Sequence, residues 1–103
     1  MELESAELEA TLVEFTQKLE RLRILYDQYF MGISKREPTV QLKDLVRLMY
    51  VLDQQKIRNA GLRFRYRTTV QKLNTLRTQW NRTLREMEAG TYRRDVARMR
   101  RKI

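Results

Sequence analysis

The chain predicts an all-α fold on three observations. Apolar residues recur at steps of three and four along most of its length, the spacing that lines one face of a helix. One proline and three glycines among 103 residues leave few positions that interrupt a helix. No segment shows the sustained period-two alternation of a half-buried strand. The expected architecture is one domain, 1–103. It is an antiparallel helical hairpin with a long second helix, continuous or kinked near Gly61, and a short basic C-terminal helix or tail.

The first helix is expected over about 5–31. Leu8, Leu12, Phe15, Leu19, Leu22, Tyr26 and Tyr29 form an unbroken heptad seam, which calls for coiled-coil-like packing on another helix. Glutamates crowd its first turns, where the helix dipole favours negative charge. Gly32 is placed to cap its C-terminus. Residues 32–39 form the loop, because Pro38 disfavours helical geometry at Glu37. Thr39 is then the expected N-cap, with a capping box of Ser34 and Glu37 as the competing start.

The second helix is expected over about 40–89. Its first apolar face is Leu42, Leu45, Val46, Met49, Leu52, Ile57, Ala60 and Phe64. Folding back at the short loop pairs position i with roughly 71 − i, so Tyr26 meets Leu45 and Leu22 meets Met49. The same register brings Glu4, Glu7 and Glu9 towards Arg63, Arg65 and Arg67. Such exposed pairs each contribute well under about 1 kcal/mol and select register more than they stabilise.

A second apolar face follows: Leu62, Tyr66, Val70, Leu73, Leu76, Trp80, Leu84 and Met87. On one continuous helix the two faces point in nearly opposite directions, since each residue turns about 100°. Either the helix runs unbroken and each half packs on a different partner, or it breaks at Asn59-Ala60-Gly61 and permits a three-helix bundle. The continuous helix is favoured, because Gly61 alone separates the halves. It leaves Leu73, Leu76, Trp80, Leu84 and Met87 uncovered and so predicts a homodimer through them. Gly90 marks the next stop, followed by a basic segment with an apolar edge of Tyr92, Val96, Met99 and Ile103.

Charge is distributed unevenly. The net charge is +9. Residues 1–31 hold three basic and seven acidic side chains, a net −4, whereas residues 61–103 hold thirteen and three, a net +10. That asymmetry implies an anionic partner for the C-terminal part, or pairing between the ends.

Composition excludes much chemistry. Without cysteine or histidine there are no disulfides, thiolate nucleophiles, Cys/His zinc sites or imidazole bases. Glu86 and Glu88 point to different faces, and no phosphate-cradling glycine loop or metal-ligand spacing occurs. No enzyme activity, cofactor or metal is expected. No apolar run is long enough to span a membrane, and the acidic start is unlike a secretory signal, so integral membrane association is not expected and a cytoplasmic location is.

The candidate binding residues lie opposite the Trp80 seam. Arg63, Arg67, Gln71, Asn74, Thr78, Asn81, Arg82 and Arg85 form a stripe without an acidic member. Guanidiniums and amides are the groups that contact phosphate oxygens and base edges. Arg93, Arg94, Arg98, Arg100, Arg101 and Lys102 extend the basic character, opposed by Asp95 alone. Phe64 and Tyr66, interleaved with the arginines, could stack on unpaired bases, but core positions on the two apolar faces are favoured for both.

Three segments together, ILYDQYFMGISKREP at 24–38, LRFRYRTTVQKLNT at 62–75 and GTYRRDV at 90–96, resemble a poorly characterised family of bacterial basic helical domains. Some members form the C-terminal part of longer proteins. The resemblance spans roughly residues 20–96 and implies a bacterial origin and a modular role. It carries no functional residues with it. The expected function is nucleic-acid binding (DNA or RNA), mainly through the phosphate backbone and with low sequence selectivity. The alternative is a coiled-coil adaptor or assembly module for an acidic protein. Peripheral membrane binding through Tyr92–Ile103 ranks last.

Overall fold

A computed structural model describes residues 3–92 of the chain, all of them helix or connecting loop. Three helices follow one another: α1, Ser5–Phe30; α2, Thr39–Asp53; and α3, Ala60–Glu88. The expected basic C-terminal helix or tail falls, beyond Tyr92, outside the described residues.

α1 is the central element, packed along both other helices. Its heptad seam from Leu8 to Tyr26 is buried, with Phe15 at 0% exposure, and Tyr29 is half-buried beside it. α1 ends where expected. Gly32 takes the left-handed conformation (φ 83°), and Ile33 N–H donates to Gln28 O at 2.9 Å. Gly32 N–H donates to Tyr29 O at 3.1 Å, completing a Schellman cap.

The chain then returns along α1. Lys18 Nζ reaches Asp44 Oδ2 at 2.7 Å, and Leu3 N–H donates to Gln55 Oε1 at 2.7 Å, so α1 and α2 are antiparallel. The register differs from 71 − i: Tyr26 meets Glu37, not Leu45, its phenol donating to Oε2 at 2.8 Å. The loop after Gly32 is not helical and covers more distance per residue than the 1.5 Å of a helix. Fewer residues therefore bring the chain back to the level of Tyr26. Pro38 is buried and flanks the first turn of α2; Thr39 is the first helical residue, one place later than an N-cap, and the Ser34 start is not used.

The favoured continuous second helix is not observed. α2 ends at Asp53, and α3 begins at Ala60 after six non-helical residues. The break precedes Gly61, which lies in the first turn of α3. Asn59 is the N-cap: its Oδ1 accepts from Leu62 N–H at 3.0 Å. Within the break, Gln55 ties the end of α2 to the residues before α1, donating through Nε2 to Val51 O at 3.1 Å and accepting from Leu3 N–H.

Interruption is favoured because it turns both apolar faces onto α1. Burying Leu62, Tyr66, Leu73 and Trp80 contributes about 1.5–3 kcal/mol each. The few backbone hydrogen bonds lost cost about 1 kcal/mol each, and capping replaces part of that. On α2, Leu45 and Leu52 are buried, and Leu42, Met49 and Ile57 pack against the core. Ala60 and Phe64, expected on the same face, are exposed because the break carries them onto α3.

α3 runs parallel to α1. Phe15 meets Tyr66 with ring centroids 6.0 Å apart, Lys72 reaches Glu20 at 3.4 Å, and Trp80 stacks on Tyr26 at 4.1 Å. α2 and α3 meet where the Tyr66 phenol donates to Met49 O (3.2 Å) and to Asp53 Oδ1. Gly90 (φ 72°) ends α3 as expected, with Thr91 N–H donating to Glu86 O at 2.9 Å. No helix among the described residues is long and apolar enough to cross a membrane.

Candidate nucleic-acid interface

From Ala60 to Arg85, α3 holds seven basic side chains and no acidic one. The orientation of these cations follows from the opposite face. Leu62, Tyr66, Thr69, Leu73 and Trp80 are buried, so α3 cannot rotate without withdrawing them from the core. Thr69 satisfies its hydroxyl locally, donating to Arg65 O at 2.8 Å. Arg63, Arg67, Gln71, Asn74, Thr78, Asn81, Arg82 and Arg85 are all exposed. They cover an axial length of about 33 Å at 1.5 Å per residue.

Half of the charged side chains of α1 and α2 are held in ion pairs. Lys18 bridges Glu14 (3.3 Å) and Asp44 (2.7 Å), and Arg23 bridges Glu20 and Asp27. Hydrogen bonds to Asp44 and Glu14 raise the Lys18 pKa, and those from Arg23 and Lys72 lower that of Glu20. On α3, Lys72 joins this network through Glu20. Among the described residues, Arg63, Arg67, Arg82 and Arg85 form no ion pair; Arg63 donates to the Ile57 carbonyl at 3.5 Å. The expected approach of Glu4, Glu7 and Glu9 to Arg63, Arg65 and Arg67 yields no ion pair among the described residues either. The helix ends are neighbours, because α1 and α3 are parallel, but all six side chains point outward.

A groove of about 460 Å³ lies between the C-terminal end of α2 and the first half of α3. Leu52, Ile57 and Val70 contribute its apolar lining, and Arg63, Arg67 and Gln71 its polar edge. Tyr66 also lines it, with its hydroxyl held by Asp53; burial is the main cause that pushes the Tyr66 phenol above its ordinary pKa. The two interleaved aromatics therefore separate. Tyr66 is core at 8% exposure, whereas Phe64 is 70% exposed on the outer side of α3.

The proposed self-association seam has a different role. Leu73 is fully buried and Trp80 is 4% exposed, both inside one chain, while Leu76, Leu84 and Met87 are half-buried. The premise for a dimer, an uncovered Trp80 seam, is removed because α1 fills it. Arg93, Arg94, Arg98, Arg100, Arg101 and Lys102 lie outside the described residues. Tyr92, the last described residue, donates to Phe30 O at 3.2 Å and so is held at the C-terminal end of α1.

Residues outside the predicted set place positive charge elsewhere on α3 and at its entrance, away from the stripe. Arg65 is exposed within the first turns of α3. Lys56 and Arg58 line a hollow of about 350 Å³ beside Leu3, Leu8 and Leu62. The signal for the latter pair was Asn59: a strong N-cap type places the preceding basic residues in a loop at the helix entrance. Comparison with protein-family models, characterised proteins and solved structures finds no match.

Proposed function

We propose that this chain binds nucleic acid through the outer face of α3, chiefly by contact with the phosphate backbone and with low sequence selectivity. One observation carries this reading: an acid-free stripe of exposed guanidiniums and amides on a helix whose opposite face is locked in the core. Arginine pairs with phosphate through two parallel hydrogen bonds, and the amides of Gln71, Asn74 and Asn81 add neutral donors and acceptors between the charges. The six basic side chains after Tyr92 add positive charge to the same polypeptide. An adaptor role for an acidic protein would have to use this same face, because both heptad-like seams are filled within the chain.

The test is a salt titration of affinity for labelled DNA and RNA, with Arg63, Arg67, Arg82 and Arg85 changed to Ala together. Log affinity should fall linearly with log salt, and removing four phosphate contacts should reduce the slope by roughly 3–4. Unchanged affinity and slope in the folded variant would refute the stripe. Binding to an acidic polypeptide, with none to either nucleic acid at low salt, would favour the adaptor.

A further inference from the structure

We propose that the α2–α3 groove and Phe64 together form a site for unpaired nucleotides, so that the chain prefers single strands to duplex. This rests on the reading that α3 contacts phosphates, and it names the form of nucleic acid. Three observations support it. The groove is open to solvent, and its about 460 Å³ is ample for a nucleobase. The half-buried Ile57 and Val70 offer an apolar bed to a base face, while Gln71 at the edge can hydrogen-bond a base edge. Across the ridge formed by Arg63 and Arg67, Phe64 is 70% exposed.

Helical geometry makes these parts one site. At about 100° per residue, Arg63 and Arg67 project between the groove side of the helix, marked by Tyr66 and Val70, and the side that carries Phe64. A strand crossing α3 would place a phosphate on this pair, one base in the groove and a neighbouring base on the Phe64 ring. Stacking on an exposed aromatic beside a cationic track is how proteins hold single strands without reading their sequence. A paired base has both faces covered in the stack and can use neither the groove nor the ring. Phe64 packs into no core here, and the break at 54–59 that exposes it is the same break that opens the groove.

The full chain should be titrated, at one salt concentration, with labelled oligothymidine, oligouridine and a duplex of equal length. Single strands should bind at least about tenfold tighter than duplex. Phe64→Ala, at an exposed position, should weaken single-strand binding on the order of tenfold and leave duplex binding unchanged. Val70→Phe, checked for folding by circular dichroism, should narrow the groove and act in the same direction. Equal affinity for single strand and duplex, or single-strand binding indifferent to both substitutions, overturns the proposal while leaving phosphate contact by α3 intact. Failure of every oligonucleotide to bind at low salt overturns both. A stronger effect on oligouridine than on oligothymidine, or the reverse, supports the site and identifies which nucleic acid it suits.

Discussion

The indole of Trp80 lies stacked on the ring of Tyr26, with centroids 4.1 Å apart and planes inclined by 13°. This pair joins the upper halves of α1 and α3. The phenol of Tyr26 donates in turn to Glu37 in the α1–α2 loop, so one stack ties together three parts of the chain.

Trp80→Ala should therefore destabilise the fold, by about 3–5 kcal/mol, the usual range for truncating a buried aromatic. Denaturant titration gives the loss. Sedimentation distinguishes the roles: a core residue lowers the denaturation midpoint without dissociating a complex, whereas an interface residue would convert a dimer to a monomer.

Asn59 and Gly61 should be coupled. Asn59→Ala removes the N-cap of α3 and should cost about 1 kcal/mol. A Cβ added at Gly61 would stand 3.2 Å from Asn59 Oδ1, a close contact at the cap. Gly61→Ala should thus gain little alone, but close to the full helix-propensity difference of about 1 kcal/mol when Asn59 is also Ala. A double-mutant cycle measures this; additive effects would show that the cap tolerates the methyl group.

Tyr66→Phe should cost about 1 kcal/mol by removing the phenol's hydrogen bonds to Met49 O and Asp53. Asp53 is exposed and can be hydrated, so no buried charge is stranded. A much larger loss would mean that this bond sets the α2–α3 angle.

Alkaline pH should unfold the protein from a defined direction. Burial, reinforced by hydrogen bonds to carboxylates, raises the phenol pKa of Tyr26 and Tyr66. Above the ordinary phenol value near 10 the unfolded chain loses these protons while the folded chain keeps them. The stability is therefore fully present below about pH 10 and falls as pH rises beyond it. Phenolate absorbance should show Tyr26 and Tyr66 ionising last, together with the loss of helical circular dichroism.

Much of the helix content was legible in residue spacing. The Leu8–Tyr26 seam, the stops at Gly32 and Gly90, and the Leu62–Trp80 face of α3 all follow from local rules of period and capping. The exposed stripe from Arg63 to Arg85 follows from the same period, because naming the buried face of a helix names the opposite one. The break after Asp53 was harder to see. Gln54, Gln55, Lys56 and Arg58 are tolerable helix residues, and the one strong local sign, Asn59 as a cap, is also common inside loops of other kinds. Phe64 was misplaced for the same reason: its face depends on whether α2 and α3 are one helix or two.

By itself, the sequence determined the helical class, two glycine stops, the buried faces of α1 and α3 and the concentration of positive charge after Gly61. These are local or additive properties, set within a few residues or by counting. Tertiary structure decided where α2 ends, that α3 lies parallel to α1, that Trp80 meets Tyr26 in the same chain, and that a groove opens beside Arg63 and Arg67. These depend on burying two oppositely facing apolar stripes against one helix. Only the assembled chain weighs that burial against the hydrogen bonds lost at the break.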